Sequence, residues 1–144
     1  MTRIRLGVDL GGTKIECVAM AADGAIIARR RTPTPQSDYQ ATIDAIVTLI
    51  CEVEADCASG PSVIGLGTPG SISPFSGLLR NSNSTHLNGR PFGVDLAAAL
   101  GDRPLRIEND ANCFAVSEAA DGAASGAHVV FGVILGTGVG GGVV

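Results

Sequence analysis

The chain has 144 residues, of which 45% are hydrophobic and none is Trp, and its formal net charge is −4. This length is sufficient for one domain with a buried core. The acidic balance disfavours nucleic-acid and anionic-membrane partners, which usually require a basic excess, and no apolar run approaches the length of a membrane span. The four cysteines are scattered without a C-x-x-C pair, so we expect buried or half-buried reduced thiols in a cytoplasmic protein.

Apolar residues in the first part of the chain follow the two-residue period of β-strands. Strands are predicted at residues 4–10, 15–19 and 25–31, and Asp23-Gly24 supplies a hairpin turn between the last two. Because the connections are short, the prediction is a three-stranded antiparallel meander.

The period changes to that of a helix after the prolines at positions 33 and 35. Five apolar residues share one helical face: Tyr39, Ile43, Ile46, Ile50 and Val53. Ser37 and Gln40 match a capping box, so the helix is predicted to begin at Ser37 and to end before Gly60.

Strands and helices alternate through the rest of the chain. Strands are predicted at residues 62–67, 105–108 and 129–135, and helices at residues 94–100 and 110–120. Residues 71–92 are predicted to form a long polar loop, and residues 136–142 a turn before another strand begins at Val143. Since parallel strands need helical crossovers, the predicted fold class is α/β: a mixed sheet of three antiparallel strands and then parallel strands, with helices on both faces.

The segment Asp9-Leu10-Gly11-Gly12-Thr13-Lys14 places a carboxylate and two glycines at a strand end. Glycine lets backbone N–H groups approach an anion, Thr13 adds a hydroxyl donor and Lys14 adds charge. Asp9 would repel a phosphate but can hold Mg²⁺ or its water ligands. The pattern predicts a phosphate site with a metal ion, and the alternative is an ordinary tight hairpin.

A second glycine-rich segment follows the last predicted strand, where Gly136, Thr137 and Gly138 lie in LGTGVGGG. Its chemistry matches that of the first segment, which predicts two hairpins that face one phosphate chain. The alternative is a glycine-rich turn.

Two polar segments lie between these hairpins. In Glu108-Asn109-Asp110-Ala111-Asn112, a strand runs into a helix, and Asp110 is predicted to be either a general base or part of an N-cap. The amides and hydroxyls of residues 80–89, Asn83 among them, suit a polyol, and the alternative is a solvated loop.

The order of these four segments resembles that of the ROK family (repressors, open reading frames, kinases), within the actin-like, ribonuclease-H-like ATPase superfamily. DLGGTK and ILGTGVGGG resemble its two phosphate motifs, and ENDAN resembles its catalytic Asn-Asp motif. The stretch GTPGSISPFSGLLRNSNSTHLNGRPF, together with NDANCFAVSEA, is most similar to the bacterial fructokinases of this family.

The resemblance implies an ATP-dependent, Mg²⁺-dependent phosphorylation of a hexose hydroxyl, with fructose to fructose 6-phosphate favoured. It implies that Asp110 is the catalytic base and that Asp9 positions Mg²⁺ through water. The implied substrate-binding residues are Pro69, Gly70, Asn83 and Asn109. The implied ATP phosphate-binding residues are Gly11, Gly12, Thr13, Lys14, Gly136, Thr137 and Gly138.

The resemblance also implies a second domain. Residues 1–132 would be the N-terminal ATPase domain and residues 133–144 the start of the next, which would hold the adenine and a structural zinc and would often mediate a homodimer. We therefore expect residues 1–144 alone to have little or no kinase activity. Hexose and ATP are the expected ligands, with no nucleic-acid or membrane partner.

The alternative within the family is the sugar-sensing domain of a transcriptional repressor. Such repressors carry a helix-turn-helix region before the first phosphate motif, whereas six residues precede Gly7 here. A structural or chaperone-like actin-type ATPase is a third alternative, but it would need neither ENDAN nor the hydroxyl-rich loop.

Overall fold

The structure, a computed structural model, describes residues 4–57, 62–101, 103–135 and 139–144. The described strands are β1 (Arg5–Leu10), β2 (Lys14–Met20), β3 (Ile26–Pro33), β4 (Val63–Thr68), β5 (Ser71–Ile72), β6 (Leu79–Arg80), β7 (Leu105–Asn109), β8 (Phe131–Leu135) and β9 (Val139–Val143). The described α-helices are α1 (Tyr39–Asp56), α2 (Phe92–Ala99) and α3 (Asp110–Ala120), and a 3-10 turn covers Thr85–Leu87.

Five of these strands form one mixed sheet in the order β3-β2-β1-β4-β7. The first three strands are antiparallel neighbours, and β4 and β7 extend the sheet in parallel with β1. The predicted α/β class and its mixed sheet are therefore confirmed. The hairpins β5–β6 and β8–β9 are separate two-stranded sheets.

The main core lies between one face of this sheet and helix α1. Alternate residues of β1, β2 and β4 are buried there and pack with the apolar face of α1, of which Ile43, Ile46 and Ile50 are at most 1% exposed. Phe92 and Leu96 of α2 complete the same cluster. Full burial of each such side chain contributes about 1.5–3 kcal/mol. Folding therefore favours burial of the whole apolar face of α1, which is the face that the helical period in the sequence predicts.

Helix α3 covers the end of the opposite sheet face. A Cβ on Gly67 of β4 would lie 3.6 Å from the Cys113 Sγ and 3.9 Å from the Asp110 Cα of α3. The β8–β9 hairpin packs on the same helix: a Cβ on Gly132 would lie 3.0 Å from the Ala115 Cβ, and one on Gly142 would lie 2.6 Å from the Ala111 carbonyl oxygen. Close packing against α3 therefore accounts for glycine at these hairpin positions.

Two predictions are wrong: the first residue of α1, and the continuous loop over residues 71–92. Asp38, not Ser37, is the N-cap of α1, because its side chain accepts a hydrogen bond from the Ala41 N–H at 2.9 Å, while Ser37 lies in the preceding turn with φ +59°. Residues 71–92 contain the short β5–β6 hairpin rather than a continuous loop. Its strands have only two residues each, too few for a periodic signal.

The predicted turn over residues 136–142 also needs correction. Val139–Val143 form strand β9, paired with β8 in an antiparallel register, and residues 136–138 lie outside the described part. Backbone pairing with β8 places the glycines of this segment in a strand, although glycine is intrinsically unfavourable there.

The cysteines are free thiols, but only two of the four are buried or half-buried as predicted. Cys17 is buried and Cys57 half-buried, whereas Cys51 and Cys113 are exposed. Within the described ranges, no helix is both long and apolar enough to cross a membrane.

Candidate active site

The parallel strands β1, β4 and β7 end at one edge of the sheet, and the predicted motifs follow these strand ends. Asp9 of β1 is paired in register with Gly67 of β4, which is paired with Glu108 of β7. The hairpin Gly11–Lys14 follows β1, the Pro69-Gly70 turn follows β4, and Asp110 follows β7. Because parallel strands place their carboxyl ends together, segments about 100 residues apart in the sequence meet at this edge.

A polar cleft of about 630 Å³ opens beside this edge. It is lined by Pro69, Gly70, Ser71, Asn81, Asn83, Asn109, Asp110, Asn112, Ile134, Val139, Gly140 and Gly141. All four predicted substrate-binding residues and the predicted base are among them. Four carboxamide side chains and one carboxylate in one cleft offer the donors and acceptors that a sugar hydroxyl needs.

Sequence reasoning did not single out Ser71, Asn81 or Asn112, nor the apolar wall at Ile134 and Val139. The signal for two of them was present: Asn81 lies two residues before Asn83 in the same polar segment, and Asn112 is the last residue of ENDAN. The wall residues come from the β8–β9 hairpin, whose position over the cleft depends on tertiary packing.

The Pro69-Gly70 turn is tied to the polar loop by close backbone contact. Gly70 has φ +80°, and a Cβ there would collide with the Arg80 carbonyl oxygen and lie 2.8 Å from the Ser82 nitrogen. The loop beyond is closed by two bonds between Ser82 and Asn88, each 2.9 Å long: the Ser82 N–H donates to the Asn88 Oδ1, and the Asn88 Nδ2 donates to the Ser82 carbonyl. These contacts hold Asn81 and Asn83 at the cleft.

Helix α3 begins at the cleft with Asn109 as its N-cap. The Asn109 Oδ1 accepts from the Ala111 N–H at 3.0 Å, and its Nδ2 donates to the Gly70 carbonyl at 2.8 Å. The capping role that the sequence left open for this segment is therefore present and falls on Asn109. The same side chain joins α3 to the Pro69-Gly70 turn, while its contact with a sugar stays a prediction.

Asp110 is the first residue of α3 and lines the cleft. A carboxylate in the first turn is favoured by the helix dipole, and the Asp110 Oδ1 accepts from the Ala111 N–H at 2.8 Å. Its neighbour Glu108 is engaged elsewhere, since its Oε1 accepts from the Asn109 N–H and from the Asn112 Nδ2. Asp110 is thus the carboxylate of ENDAN that borders the cleft.

The first glycine hairpin is a tight turn between β1 and β2. The Gly11 N–H donates to the Lys14 carbonyl at 3.0 Å, and a Cβ on Gly11 would lie 2.8 Å from that carbonyl oxygen. Gly12 differs, because a Cβ there would meet nothing within 4 Å and its φ is not in the left-handed region. Gly12, Thr13 and Lys14 are exposed, while the second predicted phosphate segment, Gly136, Thr137 and Gly138, lies outside the described residues.

Carboxylates converge beside this hairpin. The pKa of Asp9 is raised by burial and by the negative charges of Asp110 and Glu16, with Lys14 opposing the shift. The pKa of the Cys113 thiol is raised by its partial desolvation, although the residue remains exposed overall, and by the negative charges of Glu108, Asp110 and Asp9. This concentration of negative charge would be relieved by a cation.

The donor set suits Mg²⁺ only in part. In the described part of the chain, no three His, Cys, Asp or Glu side chains form a ready metal cluster. Mg²⁺ commonly binds through one or two carboxylates, several waters and the substrate phosphates. Asp9, electrostatically coupled to Asp110, fits that limited contribution.

The mixed sheet, with its polar cleft at the carboxyl ends of the parallel strands, is that of an actin-like domain, and the family model for the ROK family matches residues 5–144. The chain belongs to the ROK family. It is 43% identical over 138 residues to an N-acetyl-D-glucosamine kinase from Salmonella paratyphi C. The match covers 96% of this chain and 45% of that protein, so the chain spans less than half the length of this curated relative.

Solved structures agree with this assignment. A ROK hexokinase from Thermus thermophilus superposes with a TM-score of 0.81 at 32% identity, covering 98% of this chain and 46% of that one. A ROK glucokinase from Streptomyces griseus, in complex with glucose and AMPPNP, gives 0.81 at 28% identity, covering 98% and 44%. The predicted actin-like ATPase fold is confirmed. A ROK transcriptional regulator, at 18% identity and a TM-score of 0.82, shares the fold.

Proposed function

We propose that this chain is the N-terminal domain of an ATP-dependent sugar kinase. The observation that supports the proposal best is the position of Asp110, which borders a carboxamide-lined cleft and follows β7 at the same sheet edge at which the glycine hairpin follows β1. Phosphoryl transfer depends mainly on in-line positioning and charge stabilisation. A base, a polyol cleft and a phosphate hairpin at one sheet edge meet those requirements.

In the proposed reaction, Asp110 accepts the proton of the attacking sugar hydroxyl. Asn81 and Asn83, with Asn109 and the Pro69-Gly70 turn, orient the other hydroxyls. The backbone of Gly11–Lys14 holds the ATP phosphates from one side, and residues 136–138 are proposed to hold them from the other. Mg²⁺, when bound, would neutralise the phosphate charge, and Asp9 would orient one of its water ligands.

Two sugars are supported as the acceptor, one by the sequence motifs and one by a curated relative. The motifs between Gly67 and Phe92 favour fructose, with transfer to its 6-hydroxyl. The curated relative at 43% identity is an N-acetyl-D-glucosamine kinase, and this identity is higher than that of the hexokinase and glucokinase structures. We therefore propose a hexose as the acceptor class, with fructose and N-acetyl-D-glucosamine as the two candidate substrates.

A second ATPase domain is also part of the proposed enzyme. Residues 133–144 are proposed to begin a second ATPase domain, because β8 and β9 form a sheet of their own. That domain would supply the adenine pocket, the zinc site and a homodimer contact, in a cytoplasmic enzyme without nucleic-acid or membrane partners. The repressor alternative is less favoured, since the phosphate hairpin and ENDAN are intact.

The test is a sugar panel with ATP and Mg²⁺ on a protein in which residues 1–144 are joined to the second half of the kinase fold. We expect sugar-dependent ADP release that falls by about 10²–10⁴-fold in Asp110→Asn, since a general base typically contributes that much. Asp121→Asn, at the other end of α3, is the matched control and should keep its activity. Unchanged turnover in Asp110→Asn would remove Asp110 from the role of base. If none of the sugars in the panel is turned over, the kinase proposal is rejected.

A further inference from the structure

We infer that Thr34 and Gln36, just after β3, are positioning residues that aim the backbone N–H groups of Gly12 and Thr13 at the nucleotide phosphates. Neither residue was singled out by the sequence motifs, and neither lines the sugar cleft. The inference rests on the proposed function, because it assumes that the Gly11–Lys14 hairpin binds phosphate.

Three consecutive carbonyl groups of the hairpin are bonded to this segment. The Thr34 Oγ1 donates to the Gly11 carbonyl at 2.7 Å, and the Gln36 Nε2 donates to the Gly12 carbonyl at 3.0 Å. The Thr34 N–H donates to the Thr13 carbonyl at 3.0 Å. We call this set of three hydrogen bonds the carbonyl clamp.

The clamp fixes the direction of the neighbouring amides through the planarity of the peptide bond. In a trans peptide the C=O of one residue and the N–H of the next point in opposite directions, and the described residues contain no cis bond. Bonding the Gly11 and Gly12 carbonyls to Thr34 and Gln36 therefore turns the Gly12 and Thr13 N–H groups away from that segment. Two adjacent N–H groups with one orientation form the kind of backbone concavity that binds anions.

These two N–H groups are available to a ligand. Across residues 4–57, 62–101, 103–135 and 139–144, neither donates to a protein acceptor, and both residues are exposed. Neither backbone conformation nor packing requires glycine at position 12, since its φ is not positive and a Cβ there would meet nothing within 4 Å. An approaching phosphate is a direct reason for leaving that side of the backbone bare.

The clamp is also rigid enough to preorganise the hairpin. Thr34 is 4% exposed, so its hydroxyl is shielded from water and depends on the Gly11 carbonyl as a partner. The Gln36 Nε2 also donates to the main-chain carbonyl of Thr34 at 2.9 Å, which ties the Gln36 side chain to the backbone of the other positioning residue. Preorganised donors bind an anion more tightly because less ordering is required on binding.

The experiment titrates the 144-residue chain with Mg²⁺-tripolyphosphate and follows the amide NMR resonances of Gly12 and Thr13. We expect both resonances to shift with the bound fraction. Thr34→Val, which removes only the hydroxyl donor, should weaken binding by about 3- to 10-fold, the equivalent of one hydrogen bond. Gln36→Leu should have a similar effect, and Thr34→Ser should restore affinity because it restores the donor.

Thr42→Val is the matched control. Thr42 is also a buried threonine, and its Oγ1 donates to the Asp38 carbonyl at 2.7 Å and lies 3.1 Å from the His86 Nε2, away from the hairpin. This variant should lose at least as much stability as Thr34→Val and keep its tripolyphosphate affinity. A ligand-free readout accompanies it: the Gly11 carbonyl ¹³C resonance should move in Thr34→Val and stay in place in Thr42→Val.

The outcomes separate the clamp from the proposed function. If the unsubstituted chain binds tripolyphosphate and Thr34→Val binds it equally well, the positioning role of the carbonyl clamp is overturned and the phosphate site stands. If the unsubstituted chain leaves the Gly12 and Thr13 resonances unmoved, the hairpin is not a phosphate site and both ideas fail. Equal weakening in Thr34→Val and Thr42→Val would reduce the effect to general destabilisation and would also overturn the clamp.

Discussion

At the residue scale, glycines of this chain serve different physical purposes. Gly70 combines a positive φ with backbone atoms too close to admit a Cβ, whereas Gly12 has neither feature. Gly142 lies against the backbone of α3. A sequence shows only that glycine is present, so the purpose of each becomes clear from its surroundings in the fold.

Gly12→Ala tests whether the bare backbone serves a ligand. With no contact for the new methyl group, the free energy of unfolding should stay the same or rise by up to about 1 kcal/mol, because alanine restricts the unfolded chain. Binding of Mg²⁺-tripolyphosphate should nevertheless weaken, as the methyl group obstructs the approach to the N–H groups. Thermal denaturation and titration measure the two effects separately.

Gly24→Ala is the matched comparison, in the other hairpin of the meander. Its φ is +89° with no atom within 4 Å of a Cβ, so it should lose about 1–2 kcal/mol of stability and keep its phosphate affinity. Unimpaired tripolyphosphate binding in Gly12→Ala would contradict the explanation given for that glycine.

At the element scale, the site depends on how short segments are attached to the sheet. The Asn109 side chain caps α3 and also bonds to the Gly70 carbonyl, so one residue fixes the helix relative to the turn after β4. The hairpin β5–β6 and the polar loop after it are then set by the contact of Gly70 with residues 80–82. The cleft is therefore shaped by junctions between elements rather than by the elements themselves.

Gly70→Ala should disturb this junction strongly. A left-handed φ imposed on alanine costs about 1–2 kcal/mol and forced overpacking about 1–3 kcal/mol more, so we expect a loss of roughly 2–5 kcal/mol in the free energy of unfolding. Chemical denaturation measures it. Gly77→Ala, where φ is +72° and nothing lies near the Cβ, should show only the first of the two costs; equal losses in the two variants would argue against the collision with residues 80–82.

At the scale of the whole molecule, the core makes stability sensitive to alkaline pH. Cys17 is 0% exposed, and burial, with the nearby Glu54 and Cys57, raises the pKa of its thiol from 9.0 to about 12. The pKa of Tyr39 is raised as well, by burial and by its hydrogen bond to Asp95. In the folded protein both groups keep their protons at a pH where the unfolded chain has lost them.

This difference predicts a fall in stability between pH 9 and pH 12, the interval between the ordinary and the raised pKa of Cys17. The folded state binds the extra proton there, so the Cys17 contribution is fully present below pH 9 and is lost as pH rises, at up to about 1.4 kcal/mol per pH unit. Urea denaturation at several pH values measures the slope. Cys17→Ala should flatten it, with Cys51→Ala, at an exposed thiol, as the control; an unchanged slope in Cys17→Ala would refute the assignment.

The element order followed from the sequence because it depends on local periodicity. The apolar spacing of residues 39–53 could form only one continuous face, and the tertiary structure buries that face. The Ser37 cap was mispredicted because Ser37 and Asp38 are adjacent residues with similar capping ability, and the backbone at the end of β3 decides between them. Two-residue strands such as β5 and β6 are stabilised by their surroundings and leave no periodic trace.

By itself, the sequence determined the α/β class, the motif order and family membership, since these depend on residue type and on spacing along the chain. The tertiary structure alone decided which side chains meet. Asn112 and Ile134 join Asp110 at the cleft, and Thr34 and Gln36 bond to the carbonyls of the glycine hairpin. The physical reason is that such encounters depend on strand register and helix packing between segments distant in the chain, and local periodicity carries no information about them.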